Sequence, residues 1–330
     1  MRILTATEQK TLEQMFMLSQ EKLKSVMSNY LRKHYTKIIE NKDYLFCTGS
    51  IPVCLVAHLD TVFTTQPEEI YYDTMKNVMF SPQGLGADDR AGVFGILKLV
   101  QEGYRPHIIL TTNEEKGGIG ARALSKISCP FPDVKYFIEL DRRGSIDCVF
   151  YDCNNPDFTG YVESFGFCEN WGTYSDISDI CEAWGIAGVN LSIGYENEHS
   201  FSETFNLSYF FNTLDKVKKM LNDAGSVEKF DYIPGDYHRF WSIAYGYSNT
   251  PMLCGRCRKY FSEEELFPVI KVDGTTTHFC PDCLVERVAW CKTCGSAYEK
   301  IKPEEPDEGT CPLCNKEINI YDTNKRRNKK

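Results

Sequence analysis

Val53-Cys54-Leu55-Val56-Ala57-His58-Leu59-Asp60 is an unbroken apolar run that closes on a His-x-Asp pair. A short, Val-rich run of this kind predicts a strand buried on both faces, as found inside a parallel sheet covered by helices. Further apolar strands are predicted at His107–Thr112, Val134–Asp141 and Val189–Ile193. Between the first and second of these strands, Gly84-Leu85-Gly86-Ala87-Asp88-Asp89-Arg90-Ala91-Gly92 opens a helix that continues through Val100. The predicted fold class is α/β, with a mixed, mostly parallel sheet carrying helices on both faces.

Every one of these elements delivers a histidine or carboxylate to a loop: His58, Asp88, Glu115, Asp141 and His199, with Glu114 directly before the third. Open α/β sheets form their ligand crevice at the C-terminal ends of the strands, where these residues fall. One aspartate at a helix start would serve as an N-cap, and Asp88-Asp89 exceeds that need. Adjacent Glu114 and Glu115, in a short loop before a glycine-rich helix start, repel one another, and a cation relieves that repulsion. The ordered set points to a hydrolase with two metal ions.

His58-x-Asp60, Gly-Ala-Asp88-Asp89-Arg90-Ala-Gly, Asn-Glu114-Glu115-x-Gly-Gly-x-Gly, Glu-Leu-Asp141 and Gly-Tyr-x-x-x-His199-Ser-x-x-Glu resemble the five motifs of the co-catalytic zinc aminopeptidase and carboxypeptidase superfamily, over roughly residues 45–225. The resemblance implies that Asp88 bridges two metals, that His58 and Asp141 complete one site, and that Glu115 and His199 complete the other. It implies that Glu114 is the general base acting on a metal-bridging water, and that Asp60 orients His58. Imidazole and carboxylate donors suit Zn2+, with Co2+ or Mn2+ as substitutes. The intervals from Asp60 to Asp88 and from Asp141 to His199 are too short for the inserts and dimerisation lid of other branches. The former holds one hairpin, Ile70–Asp73 with Val78–Phe80, and the latter a strand, a helix at Ser175–Trp184 and the next strand. The resemblance is therefore to the lidless aminopeptidase-like or glutamyl-aminopeptidase-like branches, and the implied substrate is a peptide or an N-acyl or other amide. Asp176 and Glu139 are candidates to hold a substrate's free amine.

The C-terminal third carries four Cys-x-x-Cys knuckles: Cys254/Cys257, Cys280/Cys283, Cys291/Cys294 and Cys311/Cys314. Consecutive pairing leaves 22 and 16 residues between knuckles and reads as two structural zinc ribbons of four thiolates each. A cross-braced pairing, or His278 replacing a cysteine, stays open. The expected organisation is a catalytic domain at 1–223, a connecting segment at 224–250, ribbons at 251–288 and 289–320, and a basic disordered tail at 321–330. With the catalytic pair, the expected complement is four Zn2+.

Thr5–Tyr35 is amphipathic and interrupted near Ser19, predicting one kinked or two shorter helices, and His199–Asn222 predicts a closing helix. The 330 residues and 42% hydrophobic content support one sizeable α/β core plus small appendages. A net charge of −9 argues against nucleic-acid binding by the whole chain, although the Lys325–Lys330 run could touch phosphate. The other seven cysteines, Cys47, Cys54, Cys129, Cys148, Cys153, Cys168 and Cys181, read as buried free thiols. No signal peptide or membrane-length apolar run is legible, and thiolate knuckles need reducing conditions, so a cytoplasmic location and no membrane partner are expected. An alternative function is an adaptor in which the ribbons bind protein or nucleic acid and the hydrolase-like domain is a scaffold.

Overall fold

The amphipathic N-terminal stretch forms two helices, α1 (Ala6–Phe16) and α2 (Gln20–Leu31). They separate at Ser19, whose backbone turns extended and whose hydroxyl accepts the Lys22 amide proton as an N-cap. The computed structural model describes residues 2–235 and, beyond them, 252–256, 260–261, 266–270, 276–280, 283, 288–290, 297–299, 309–310 and 317–318. Cys257, Cys291, Cys294, Cys311, Cys314 and the tail at 321–330 lie outside the described residues. The chain divides into two units, Met1–Phe240 and Trp241–Lys330.

In the first unit β1 (Lys37–Glu40), β2 (Tyr44–Thr48), β3 (Ile51–His58), β6 (Pro106–Thr111), β7 (Tyr136–Arg142), β8 (Asp147–Val149), β9 (Cys168–Glu169) and β10 (Gly188–Ser192) make one sheet in the order β1-β2-β6-β3-β7-β10-β8-β9. Its centre, β6-β3-β7-β10, is parallel, and β2 and β8 flank it antiparallel. Alternation along β3 sorts the core. Val53, Leu55 and Ala57 join the cluster that holds Leu12, Leu23, Phe94 and Leu214, whereas Cys54 and Val56 join Leu124, Phe131, Ile177 and Ile180. Helices α1, α2, α3 (Ala87–Gln101) and α7 (Leu207–Asp223) thus cover one face, and α4 (Ile119–Leu124) and α6 (Asp176–Trp184) the other. Helix α5 (Pro156–Glu163), capped by Asn155, adds Phe158 and Val162 to the first cluster.

A second sheet stands beside the ligand-bearing loops. The hairpin β4 (Tyr71–Asp73) and β5 (Val78–Phe80) pairs through β5 with β12 (Thr204–Asn206), and β12 with β11 (Tyr195–Glu196). The closing helix therefore begins at Leu207 and not at His199. Residues 204–206 are held in the β12 ladder, and Asn206 caps the helix by accepting the Ser208 and Tyr209 amide protons. After α7 the chain packs back on the unit: Phe230 bonds Lys135 and Ala187 through its backbone, and Asn154 donates to Ile233. Five of the seven scattered cysteines are buried, but Cys129 is half-buried and Cys168 is exposed on the short edge strand β9.

The second unit contains short strands. β13 (Met252–Leu253) pairs with β14 (Tyr260–Phe261), and β19 (Gly309–Thr310) with β20 (Glu317–Ile318). β15 (Phe267–Ile270), β16 (Thr276–Phe279), β17 (Val288–Trp290) and β18 (Ala297–Glu299) form one sheet ordered β16-β15-β18-β17. That sheet runs across the boundary expected between the two cysteine modules. Among the described residues no helix is long and apolar enough to cross a membrane.

Candidate metal centre

Because β3, β6, β7 and β10 run parallel, their C-terminal ends share one edge of the sheet, and His58, Glu114, Glu115 and Asp141 are delivered there together. Asp88 arrives from the opposite direction, at the start of α3. That helix approaches closely enough that a Cβ on Gly92 would sit 2.3 Å from the Leu140 carbonyl oxygen. The Asp88–Asp89 peptide bond is cis.

Asp88 faces two imidazoles with different oxygens. Its Oδ1 lies 3.0 Å from His58 Nε2 and its Oδ2 lies 3.2 Å from His199 Nε2. His58 Nε2 is also 3.5 Å from Asp141 Oδ1, and His199 Nε2 is 3.1 Å from Glu115 Oε1. Three groups of potential metal ligands follow among the described residues here, His58/Asp88/Asp141, Asp88/Glu115/His199 and His58/Glu114/Glu115, each with donor atoms within 4.8 Å of one another, and the first two share Asp88. Glu114 lies between them and reaches 4.0 Å from His58 Nε2. The five ligand positions and the base read from the sequence thus come together in one place.

Asp60 connects the parts. One of its oxygens accepts the Glu114 amide proton at 3.0 Å and the other the Glu115 amide proton at 3.2 Å, while His58 Nδ1 stands 3.4 Å from Oδ1. A single buried carboxylate therefore holds the backbone that carries the two glutamates and stands within ion-pair distance of the imidazole. Burial raises the Asp60 pKa, but His58 and the Glu114 amide outweigh burial and leave the carboxyl below its ordinary range.

The electrostatics fit a cationic occupant. Four carboxylates, Asp88, Glu114, Glu115 and Asp141, surround the buried imidazole of His58 and the half-exposed one of His199. Burial first, and then the charges of Asp141, Asp176 and Glu115, push Glu114 up to about 9 against the opposing pull of His58. Hydrogen bonds to Asp88 and Glu115 push His199 up to about 11. The His199 shift, and the part of the Glu114 shift that comes from Asp141, Asp176 and Glu115, record excess negative charge, and divalent cations on the imidazole nitrogens would neutralise it.

Several supporting residues carry no ligand signature in the sequence. Asn190 bonds the Asp141 backbone at both ends, receiving its N–H at 2.9 Å and donating to its carbonyl at 2.8 Å, where the β7–β10 ladder slips register. Ser175 and Tyr195 donate to the two Asp141 carboxylate oxygens at 2.9 and 3.0 Å. Glu203, fully buried, accepts from the Gly86 and Asp88 amides and so fixes the loop that presents Asp88. Asp89 accepts from the His58 amide and the Gly92 amide, tying the end of β3 to α3. Glu203 and Tyr195 stand inside the quoted motifs, so their positions were visible although their roles were not.

Glu139 and Asp176 do not lie where a substrate amine can reach them: both are 0% exposed. Glu139 faces the α4/α6 layer from the middle of β7, and Asp176 heads α6 with its carboxylate accepting from the Thr111 hydroxyl. Burial raises both carboxyls, Asp176 to about 7 and Glu139 well above its ordinary range.

No protein-family profile matches the chain, and no curated protein does. Solved structures do. The chain is similar to a tripeptidase from Staphylococcus aureus, with 13% identity and a TM-score of 0.55 over 67% of this chain and 98% of that one. It is similar also to the aminopeptidase PepT from Bacillus cereus, with 13% identity and a TM-score of 0.52 over 66% and 98%. The α/β unit therefore shares the fold of these peptidases.

Proposed function

We propose that the α/β unit is a metal-dependent hydrolase of amide bonds, acting as an aminopeptidase on peptide substrates. The observation that carries this reading is the pair of ligand groups sharing Asp88, with Glu114 beside both. The peptidase names of the two similar structures agree with it. His58, Asp88 and Asp141 would hold one ion and Asp88, Glu115 and His199 the other. Zinc suits the donor set, and cobalt or manganese could replace it.

Such a pair would supply a water acidified for attack and an electrophile for the substrate carbonyl. The chain's own residues do the rest. Glu114 is placed to receive the proton of the attacking water on a carboxylate oxygen and to return it to the departing amine. For that it must be ionised before attack, and cations on His58 and His199 would lower its pKa from the value raised by burial and by the neighbouring carboxylates. Asp60, 3.4 Å from His58 Nδ1, would favour the tautomer whose Nε2 lone pair faces the centre, and Ser175 and Tyr195 hold Asp141 through its two carboxylate oxygens.

Glu114→Gln tests the role of the base. Hydrolysis of an aminoacyl-amide panel is expected to fall by about 10²–10⁴-fold with fold and bound metal retained. Undiminished turnover removes Glu114 from the mechanism, and no hydrolysis of the panel by the metal-loaded parent protein overturns the aminopeptidase reading.

A further inference from the structure

The C-terminal cysteines stand apart from this chemistry and carry their own argument. Cys254, Cys280 and Cys283 come from sequence positions some 26 residues apart, yet their sulfurs all lie within 4.8 Å of one another, and all three side chains are buried. Tetrahedral zinc with Zn–S bonds of about 2.3 Å sets its sulfurs about 3.8 Å apart, a spacing this cluster accommodates. The Cys280 amide donates to Cys254 Sγ at 3.3 Å, a bond that favours a thiolate over a weakly accepting thiol.

The backbone is shaped to bring the knuckles together. Gly255 donates to the His278 carbonyl at 2.7 Å, which fastens the first knuckle to the end of β16. A Cβ on Gly255 would sit 2.1 Å from the Thr277 hydroxyl, so a side chain there would have to displace that hydroxyl. His278 joins the contact through its backbone, and among the described residues the ligand group holds the three cysteines without it. The surrounding apolar cluster is Leu266, Val269 and Phe279. A segment as short as one pair of knuckles buries little core by itself, so a metal would supply much of its folding free energy.

We infer that the first and second knuckles share one structural zinc ion, bound by Cys254, Cys280 and Cys283 together with Cys257, and that this ion organises the fold of its segment. Cys257 enters by its Cys-x-x-Cys spacing alone. The consecutive pairing read from the sequence would leave Cys291/Cys294 and Cys311/Cys314 to a second site, and those four cysteines lie outside the described residues. The inference does not depend on the hydrolase reading.

Zinc counting on double variants of the full chain separates consecutive from cross-braced pairing. In the consecutive arrangement Cys254→Ser and Cys280→Ser strike the same ion, so the double variant loses about one zinc, as Cys254→Ser alone does. Cys254→Ser with Cys291→Ser strikes two ions and loses about two. The reverse pattern overturns the pairing, and an unchanged zinc content in Cys254→Ser overturns the site. Should the variants precipitate, the zinc-edge X-ray absorption spectrum of the unaltered protein decides. Sulfur in the first shell of part of the zinc is expected, and a purely nitrogen and oxygen shell sinks the proposal. Amide hydrolysis plays no part in either readout.

Discussion

The two clusters of potential ligands differ in what holds them. In the α/β unit the histidines and carboxylates sit on the ends of strands already packed between helix layers, with some four dozen buried apolar residues beneath them. In the C-terminal unit three cysteines share their cluster with Leu266, Val269 and Phe279. In the first case the fold prepares the site; in the second, on the zinc proposal, the site would prepare the fold. On the proposed readings a metal ion would be a reagent in one place and a structural element in the other.

Metal removal probes that contrast most directly. Chelation is expected to abolish hydrolysis, with recovery on adding zinc, cobalt or manganese, while limited proteolysis cuts the C-terminal unit and spares a fragment close to Met1–Phe240. Equal protection of both units after chelation, read by mass spectrometry, would break the comparison. A smaller effect is expected for Asp60→Asn, which weakens the bonds to the Glu114 and Glu115 amides and alters the partner of His58. Metal affinity or activity should drop by about 10–100-fold with little change in melting temperature. A large fall in stability instead would make Asp60 part of the scaffold more than of the site.

The smallest effect concerns the scaffold alone. Glu8 accepts from the Thr5 amide and hydroxyl at 2.8 Å and from Lys98 at 2.6 Å, joining α1 to α3. Burial raises its pKa, but Lys98 and Thr5 together bring it down to about 2, from an ordinary value of 4.5. A carboxyl depressed on folding contributes stability that is complete above its unfolded pKa and is lost as pH falls through the folded one. Glu8→Gln should therefore cost about 1–2 kcal/mol near neutral pH, and the difference should shrink between about pH 4.5 and pH 2. Denaturant melts of both proteins at several pH values check it, and activity at neutral pH should be unchanged.

Much of this architecture was legible locally. Ser19 as a break between helices, the hairpin turn between Asp73 and Val78, and the strand that ends at His58 each follow from a few neighbouring residues. The approximate reach of α6 from Asp176 and the convergence of His58, Glu115 and Asp141 on one edge also follow, because parallel strands share an end. The start of α7 was not legible, since the helical stripe extends backward past Leu207. Only the pairing of Thr204–Asn206 with Val78–Phe80, more than a hundred residues away, takes those residues out of the helix.

The sequence by itself determined which residue types reach the crevice, in what order and beside which turns, because periodicity and turn chemistry act over a few residues. Only the tertiary structure decided that the two oxygens of Asp88 face different imidazoles, and that one Asp60 carboxylate serves both His58 and the glutamate loop. It also decided that Glu139 and Asp176 are sealed behind the site and that Cys254 lies with Cys280 and Cys283. Each of these depends on side-chain direction and on contacts between distant segments, which long-range packing sets and local pattern leaves open.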